Sequence, residues 1–301
     1  MPHITWCLTG PLTFLPIHAA GLYHTEDAPK IFDYVVSSYT PSLSSLLAAK
    51  PCLPKTNQTV RLLTVSQPAT PGLNPLPGTV DELNAIQTLH SSTGRLHITR
   101  LDHREATVAA VLQHMKECSW IHLACHGVQD TAGPTESAFH LFDKPLTLKE
   151  VMKQSFTHTE LAVLSACQTA KGDRELPEEA IHLAAGMLMA GYGSVVATMW
   201  SIRDDDGPII AEKFYKYLID EAGGDSSRAA YALHNAVARL RNVRGEKNFA
   251  SWVPFIHLGI CTPLPVAPSK PIHSGRTSRF RNKLSRWFQR PGTRRGGREQ
   301  L

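Results

Sequence analysis

The chain has 301 residues, 42% of them hydrophobic, enough to bury a real core in one or two domains. Its formal charge of +5 is unevenly spread: residues 266–301 hold 10 Lys/Arg and one Glu, against 21 Lys/Arg and 25 Asp/Glu before them, so a mildly acidic body carries a basic tail. The six cysteines (7, 52, 118, 125, 167 and 261) form no C-x-x-C pair; that excludes a disulfide framework and, with no secretory signal at the start, points to a reducing, cytoplasmic setting.

Residues 1–58 are rich in Pro, Ser and His. The strand-like run Asp33–Tyr39 stops at Thr40-Pro41, because the residue before proline is held extended, and Ser42–Ala49 reads as a short helix. Thr59–Val65 is a buried strand. Gln67–Gly78 contains four prolines and two glycines and must be irregular; its length places it on the surface beside a functional face. Thr79-x-x-Glu82 has capping-box form and starts a helix to about His90. The strand Leu96–Leu101 and a helix from Arg104 to Glu117 follow.

Two short apolar runs then end in reactive residues. Trp120–Cys125 delivers His126 and Gly127, and Glu160–Ala166 delivers Cys167. Both are uncharged over most of their length and followed by loop-forming residues, the pattern of buried parallel strands. Between them lie a loop from Val128 to Thr135, a small strand Phe139–Phe142 and a helix capped by Thr147-x-x-Glu150. Beyond Cys167 come a polar loop, Thr169–Pro177, a helix Glu178–Ala190 and a strand Ser194–Met199. A helix from Asp204-Asp205-Asp206 to about Ala222, another from Ser226 to about Val243 and a strand Trp252–Leu258 complete the body. Strands alternating with helices predict an α/β fold with a mostly parallel sheet covered on both faces. Leu183–Trp200 is 18 residues without a charge, but Gly186, Gly191 and Gly193 divide it, so a helix, a turn and a strand describe it better than a membrane span.

In an open parallel sheet, functional groups collect beyond the carboxyl ends of the strands. If the two strands are neighbours, His126 and Cys167 meet there. A thiol becomes a nucleophile beside an imidazole that takes its proton. The N–H groups of Gly127 and Cys167 would serve as an oxyanion hole, since a glycine lets a reacting carbonyl approach closely.

The run Leu164-Ser165-Ala166-Cys167-Gln168-Thr169-Ala170, the pair His126-Gly127, and Ala190-Gly191-Tyr192-Gly193-Ser194-Val195-Val196-Ala197-Thr198-Met199-Trp200-Ser201-Ile202 closely resemble the CHAT domain family. The likeness continues through Lys213-Phe214-Tyr215, the helix around Ala229–Leu240 and Trp252-Val253-Pro254-Phe255-Ile256, and includes Leu15–Gly21 and Ser37–Ser42. The resemblance implies a caspase-like sheet and a cysteine endopeptidase of the separase-like type. By position, His126 would be general base, Cys167 nucleophile and Gly127 part of the oxyanion hole. Caspases place a histidine about 50 residues before the cysteine; here the spacing is 41 (167 − 126). No third residue to orient His126 follows from spacing. Related peptidases that cut after basic residues often carry an acid where this chain has Ser165, so a basic preference does not follow. Residues 1–262 are read as the CHAT domain and 263–301 as a basic tail. Because the family often carries tetratricopeptide sensor repeats upstream, the resemblance also implies a domain cut short at its N-terminal edge, or a separate repeat-containing partner chain. A protein or peptide substrate is implied. The alternatives are a non-catalytic interaction module in a signalling assembly and a peripheral membrane protein defined by its tail.

The remaining signals are weaker. His122 and His126 invite a zinc reading, but no H-E-x-x-H is present and the separation along a strand is too long for easy shared coordination. With no phosphate loop, dinucleotide fingerprint or G-x-S-x-G elbow, no cofactor or metal is expected. Asp204 and Asp205, with Ser165, are candidate substrate-pocket residues; the competing reading of the acidic run is a helix N-terminus. In the tail, Phe280, Leu284, Trp287 and Phe288 fall at helical spacing among arginines over 279–290, which suits anionic membrane or an acidic partner, while flanking Pro, Gly and Ser suit disorder. Non-specific phosphate contacts are open to such a tail; sequence-specific nucleic-acid binding is not expected.

Overall fold

The computed structural model describes residues 1–25, 27–48, 59–128, 130, 133–165, 167–168 and 179–262. The chain opens with a strand that the sequence reading passes over, His3–Trp6 (β1), followed by Val36–Tyr39 (β2), helix Leu43–Ala48 (α1) and Val60–Ser66 (β3). Helix Gly78–Thr93 (α2), strand Leu96–Asp102 (β4) and helix Val108–Met115 (α3) lead to Trp120–Ala124 (β5) and His126–Val128 (β6). Next come Ala138–His140 (β7), Pro145–Thr147 (β8), helix Leu148–Met152 (α4), Leu161–Leu164 (β9) and Cys167–Gln168 (β10). Helix Glu179–Met189 (α5), strand Ser194–Thr198 (β11), helices Gly207–Lys216 (α6), Ala229–Arg244 (α7) and Phe249–Trp252 (α8), and strand Phe255–Gly259 (β12) follow.

The main sheet runs β1-β2-β12-β11-β9-β5-β3-β4. Strands β11, β9, β5, β3 and β4 are mutually parallel, as are β12, β2 and β1, and the two blocks meet antiparallel between β11 and β12, from Ser194↔Gly259 to Thr198↔Phe255. Helices cover both faces, so the central strands β5, β9 and β11 are buried along their whole length. Along β5 the alternation is visible. Ile121 and Leu123 join Val111 and Met115 of α3 and Leu183 and Met187 of α5, whereas Trp120 joins Ile86 of α2, Phe214 of α6 and Leu240 of α7. A second sheet, β10-β6-β7-β8, is built at the ends of the central strands.

Several local expectations change. Thr79 does not cap α2: the helix starts one residue earlier, the Thr79 hydroxyl donates to the carbonyl of Leu76 at 2.7 Å, and Glu82 turns into the protein interior. The helix expected over Arg104–Glu117 is shorter, because the Thr107 hydroxyl accepts the N–H of Ala110 and Asp143 accepts that of Val108, fixing its start. Trp252 ends α8 instead of opening the last strand; its indole N–H donates to Glu246 O at 2.9 Å and its ring meets Phe32 edge-on. The twelfth to sixteenth residues of the uncharged stretch form β11, after a turn at Gly191 with φ +104°, and no described helix is long and apolar enough to cross a membrane. The Thr147 capping box forms as expected. The polar loop over 169–177 and the tail with its 279–290 pattern lie outside the described residues.

Candidate active site at the ends of β5 and β9

β5 and β9 are neighbours, paired from Trp120↔Leu161 to Leu123↔Leu164. Past these pairs both chains bend out of the main sheet. Residue 125 is the bend on one side, and β6 and β10 then pair parallel in the second sheet with Cys167 opposite His126 and Gln168 opposite Gly127. Adjacent strands stand ~4.8 Å apart, so the two residues on which the sequence argument rests are register partners. On its other side β6 pairs antiparallel with β7, setting His126 against His140 and Gly127 against Phe139. Burial lowers the pKa of the His140 imidazole, and the neighbouring His126 adds to the shift.

The ring of His126 is fully buried. Its Nε2 lies 2.7 Å from the backbone carbonyl of Asn74. A carbonyl can only accept, so Nε2 carries the proton, and in the neutral ring Nδ1 is the free lone pair. That Nδ1 is buried and has no hydrogen-bond partner among the described residues. Asn74 lies in the proline-rich loop before α2, and Pro75 after it restricts Asn74 to extended backbone. Spacing could not find this group, because a main-chain carbonyl has no residue-type signature; the loop's length and composition were the only hints.

Ser165, two residues before Cys167, is buried, and its hydroxyl donates to Glu82 Oε2 at 2.9 Å. The other oxygen of Glu82 is 3.1 Å from Nε2 of the fully buried His122, at ion-pair distance but out of line for a hydrogen bond. His122 Nδ1 lies 3.1 Å from the Tyr215 hydroxyl, whose pKa is raised well above the usual phenol range, chiefly by burial and then by the Glu82 charge. His122 and His126 thus serve different partners.

The acidic run divides three ways. Asp204 accepts the N–H of Gly78, the first residue of α2, at 2.6 Å. Asp205 is exposed near Arg203 and Arg244. Asp206 is fully buried and receives Arg244 Nε at 2.7 Å. It precedes α6 without a side-chain capping bond. Asp204 and Ser165 therefore hold α2 at positions 78 and 82, one turn apart.

A family profile described as CHAT domain matches residues 1–260. Among solved structures, the Arg-specific cysteine proteinase gingipain R is similar with a TM-score of 0.51 at 11% identity, covering 75% of this chain and 54% of that one. The chain therefore spans about half the length of that protein. The Saccharomyces cerevisiae separase–securin complex gives a TM-score of 0.48 at 15% identity, over 76% of this chain and 14% of that one. The complex of the pro- and mature domains of Porphyromonas gingivalis RgpB gives 0.44 at 12% identity, over 75% and 55%. No curated protein gives a significant match.

Proposed function

Because the chain belongs to the CHAT domain family and has a caspase-like α/β fold, we propose that it is a cysteine endopeptidase acting through Cys167 and His126. The observation that carries the reading is the parallel register Cys167↔His126, combined with a histidine whose Nε2–H is held by Asn74 O. In this reading Nδ1 of His126 takes the thiol proton, and the thiolate attacks the scissile carbonyl carbon. The backbone N–H groups of Gly127 and Cys167 donate to the oxygen as it becomes negative, a contribution of ~2.7–4 kcal/mol per donor in well-studied cases. The imidazolium returns its proton to the leaving amine, leaving a thioester on Cys167. Water then attacks the thioester, its proton passes to Nδ1, and the thiolate departs. Asn74 O steadies the imidazolium by accepting Nε2–H throughout, the part that a third group plays in other Cys/His pairs.

The substrate is a protein or peptide. Of the proposed pocket residues Ser165, Asp204 and Asp205, Asp205 is the exposed one that meets the substrate side chain, while Ser165 and Asp204 border the pocket with their polar groups bonded to Glu82 and Gly78. Residues 1–262 form the catalytic domain, and the basic tail of 263–301 contacts an acidic partner or an anionic membrane.

The test is a search for new protein N-termini in cells carrying wild type or Cys167→Ala, with His126→Ala as a second arm. Cleavages present only in the wild type support the reading; identical N-termini in all three would sink it and leave the interaction-module alternative.

A further inference from the structure

The buried chain Ser165–Glu82–His122–Tyr215 takes no part in the chemistry proposed above. Glu82 is 4% exposed and sits on α2 against the core face that includes Ile86, Leu62 and Trp120. A carboxylate at such a place costs stability unless it is fully partnered, and an apolar side chain of similar size would serve packing better. What Glu82 does hold is Ser165. The main-sheet ladder ends at Leu164 against β5 and at Val163 against β11. Past that point the chain leaves the sheet, so the Ser165 side chain becomes the tether. Glu82 is itself confined: a Cβ built on Gly207 would stand 2.8 Å from Glu82 Oε2, so the start of α6 closes on the carboxylate with bare backbone. The helix that carries Glu82 also follows the loop that presents Asn74 O to His126, and Asp204 pins its first residue.

We propose that Glu82 is a positioning residue: through Ser165 it sets where the chain enters the Cys167 strand, so that α2 fixes nucleophile and base relative to each other. The proposal rests on the peptidase reading.

The test is the pH profile of Cys167 alkylation by iodoacetamide, followed by peptide mapping so that the other cysteines are counted separately. Wild type, His126→Ala, Ser165→Ala, Ser165→Thr, Glu82→Gln and Glu82→Leu are compared in the full chain, each with its melting temperature. In the wild type, His126 makes Cys167 react at pH values where ordinary thiols are protonated. Ser165→Ala and Glu82→Leu lower the rate at pH 6.5 by about tenfold and move the profile toward that of His126→Ala, since misplacing catalytic groups by ~1 Å costs up to ~100-fold. Ser165→Thr, which keeps the hydroxyl, restores the rate, and the double variant Glu82→Leu/Ser165→Ala falls no further than the lower single variant. If Glu82→Leu does not fold, Ser165→Ala and Glu82→Gln carry the comparison. A profile unchanged in folded Ser165→Ala, with wild type still faster than His126→Ala, overturns the positioning role and leaves the peptidase reading standing. A wild type no faster than His126→Ala overturns both.

Discussion

The Nε2–H of His126 donates to the main-chain carbonyl of Asn74, 52 residues away in sequence and 2.7 Å away in space. Asn74 can hold that carbonyl in place because prolines at 68, 71, 75 and 77 leave the loop few conformations. Pro75→Gly should therefore lower the rate of Cys167 labelling several-fold while costing only ~0.4–1 kcal/mol of stability. Paired measurements of labelling rate and urea midpoint check this. Equal labelling in both proteins would show that the carbonyl is not what orients the ring.

Cys167→Ala should abolish labelling at position 167 and all cleavage. His126→Ala should reduce the activity by roughly 10²–10⁴-fold, the usual range for loss of a general base. An electrophilic peptide panel with mass-spectrometric mapping of the labelled cysteine decides it.

Acid should weaken the fold well above the range in which carboxylates titrate. Burial takes the imidazole of His18 down to about 4, partly opposed by its hydrogen bond to Val253 O, and takes that of His257 down to about 3. Both lie below the unfolded value near 6.5, so between these limits the unfolded chain binds more protons than the native one. Stability is then full above about pH 6.5 and falls as pH drops, by up to ~2–3 kcal/mol per pH unit near pH 5 if both residues act. Denaturant midpoints at pH 7, 6 and 5 check the slope; a midpoint flat from pH 7 to 5 contradicts it.

Asp206 is fully buried and paired with Arg244 Nε at 2.7 Å. Arg244→Met removes the partner and leaves a buried carboxylate uncompensated, which should destabilise by ~3–5 kcal/mol. Asp206→Asn/Arg244→Met should recover part of that loss. Thermal melts of the two variants and the wild type measure it.

At the end of β12, opposite Ser194, Gly259 has φ +104° and a Cβ there would stand 2.4 Å from Gly193 O. Gly259→Ala should cost at least ~1–3 kcal/mol from the backbone conformation alone, with the clash added. A melting temperature within a degree or two of wild type would refute the strain.

How far the sequence could be read follows from the range of each interaction. The strands β3, β5, β9 and β11, the helices other than α8 and the Thr147 cap come from period, composition and local turn chemistry, all carried by residues close in the chain. Thr79-x-x-Glu82 has the same local pattern as Thr147-x-x-Glu150, yet only the second forms a cap. Glu82 finds Ser165, 83 residues away, and His122 within a buried contact surface, and such long-range partners outweigh a cap exposed to water. β1 is not legible because its polar/apolar alternation, His3-Ile4-Thr5-Trp6, lasts only four residues.

By itself the sequence determined the strand-and-helix alternation, the two apolar runs that end in His126 and Cys167, and the family to which the chain belongs. Tertiary structure alone decided that these runs are adjacent, that β12 reverses direction against β11, that a main-chain carbonyl holds His126, and that Glu82 faces inward. The reason is physical: a strand's apolar pattern fixes which faces are buried but not which strand lies beside it, and a carbonyl or a tether acquires its role only from what folding brings within ~3 Å.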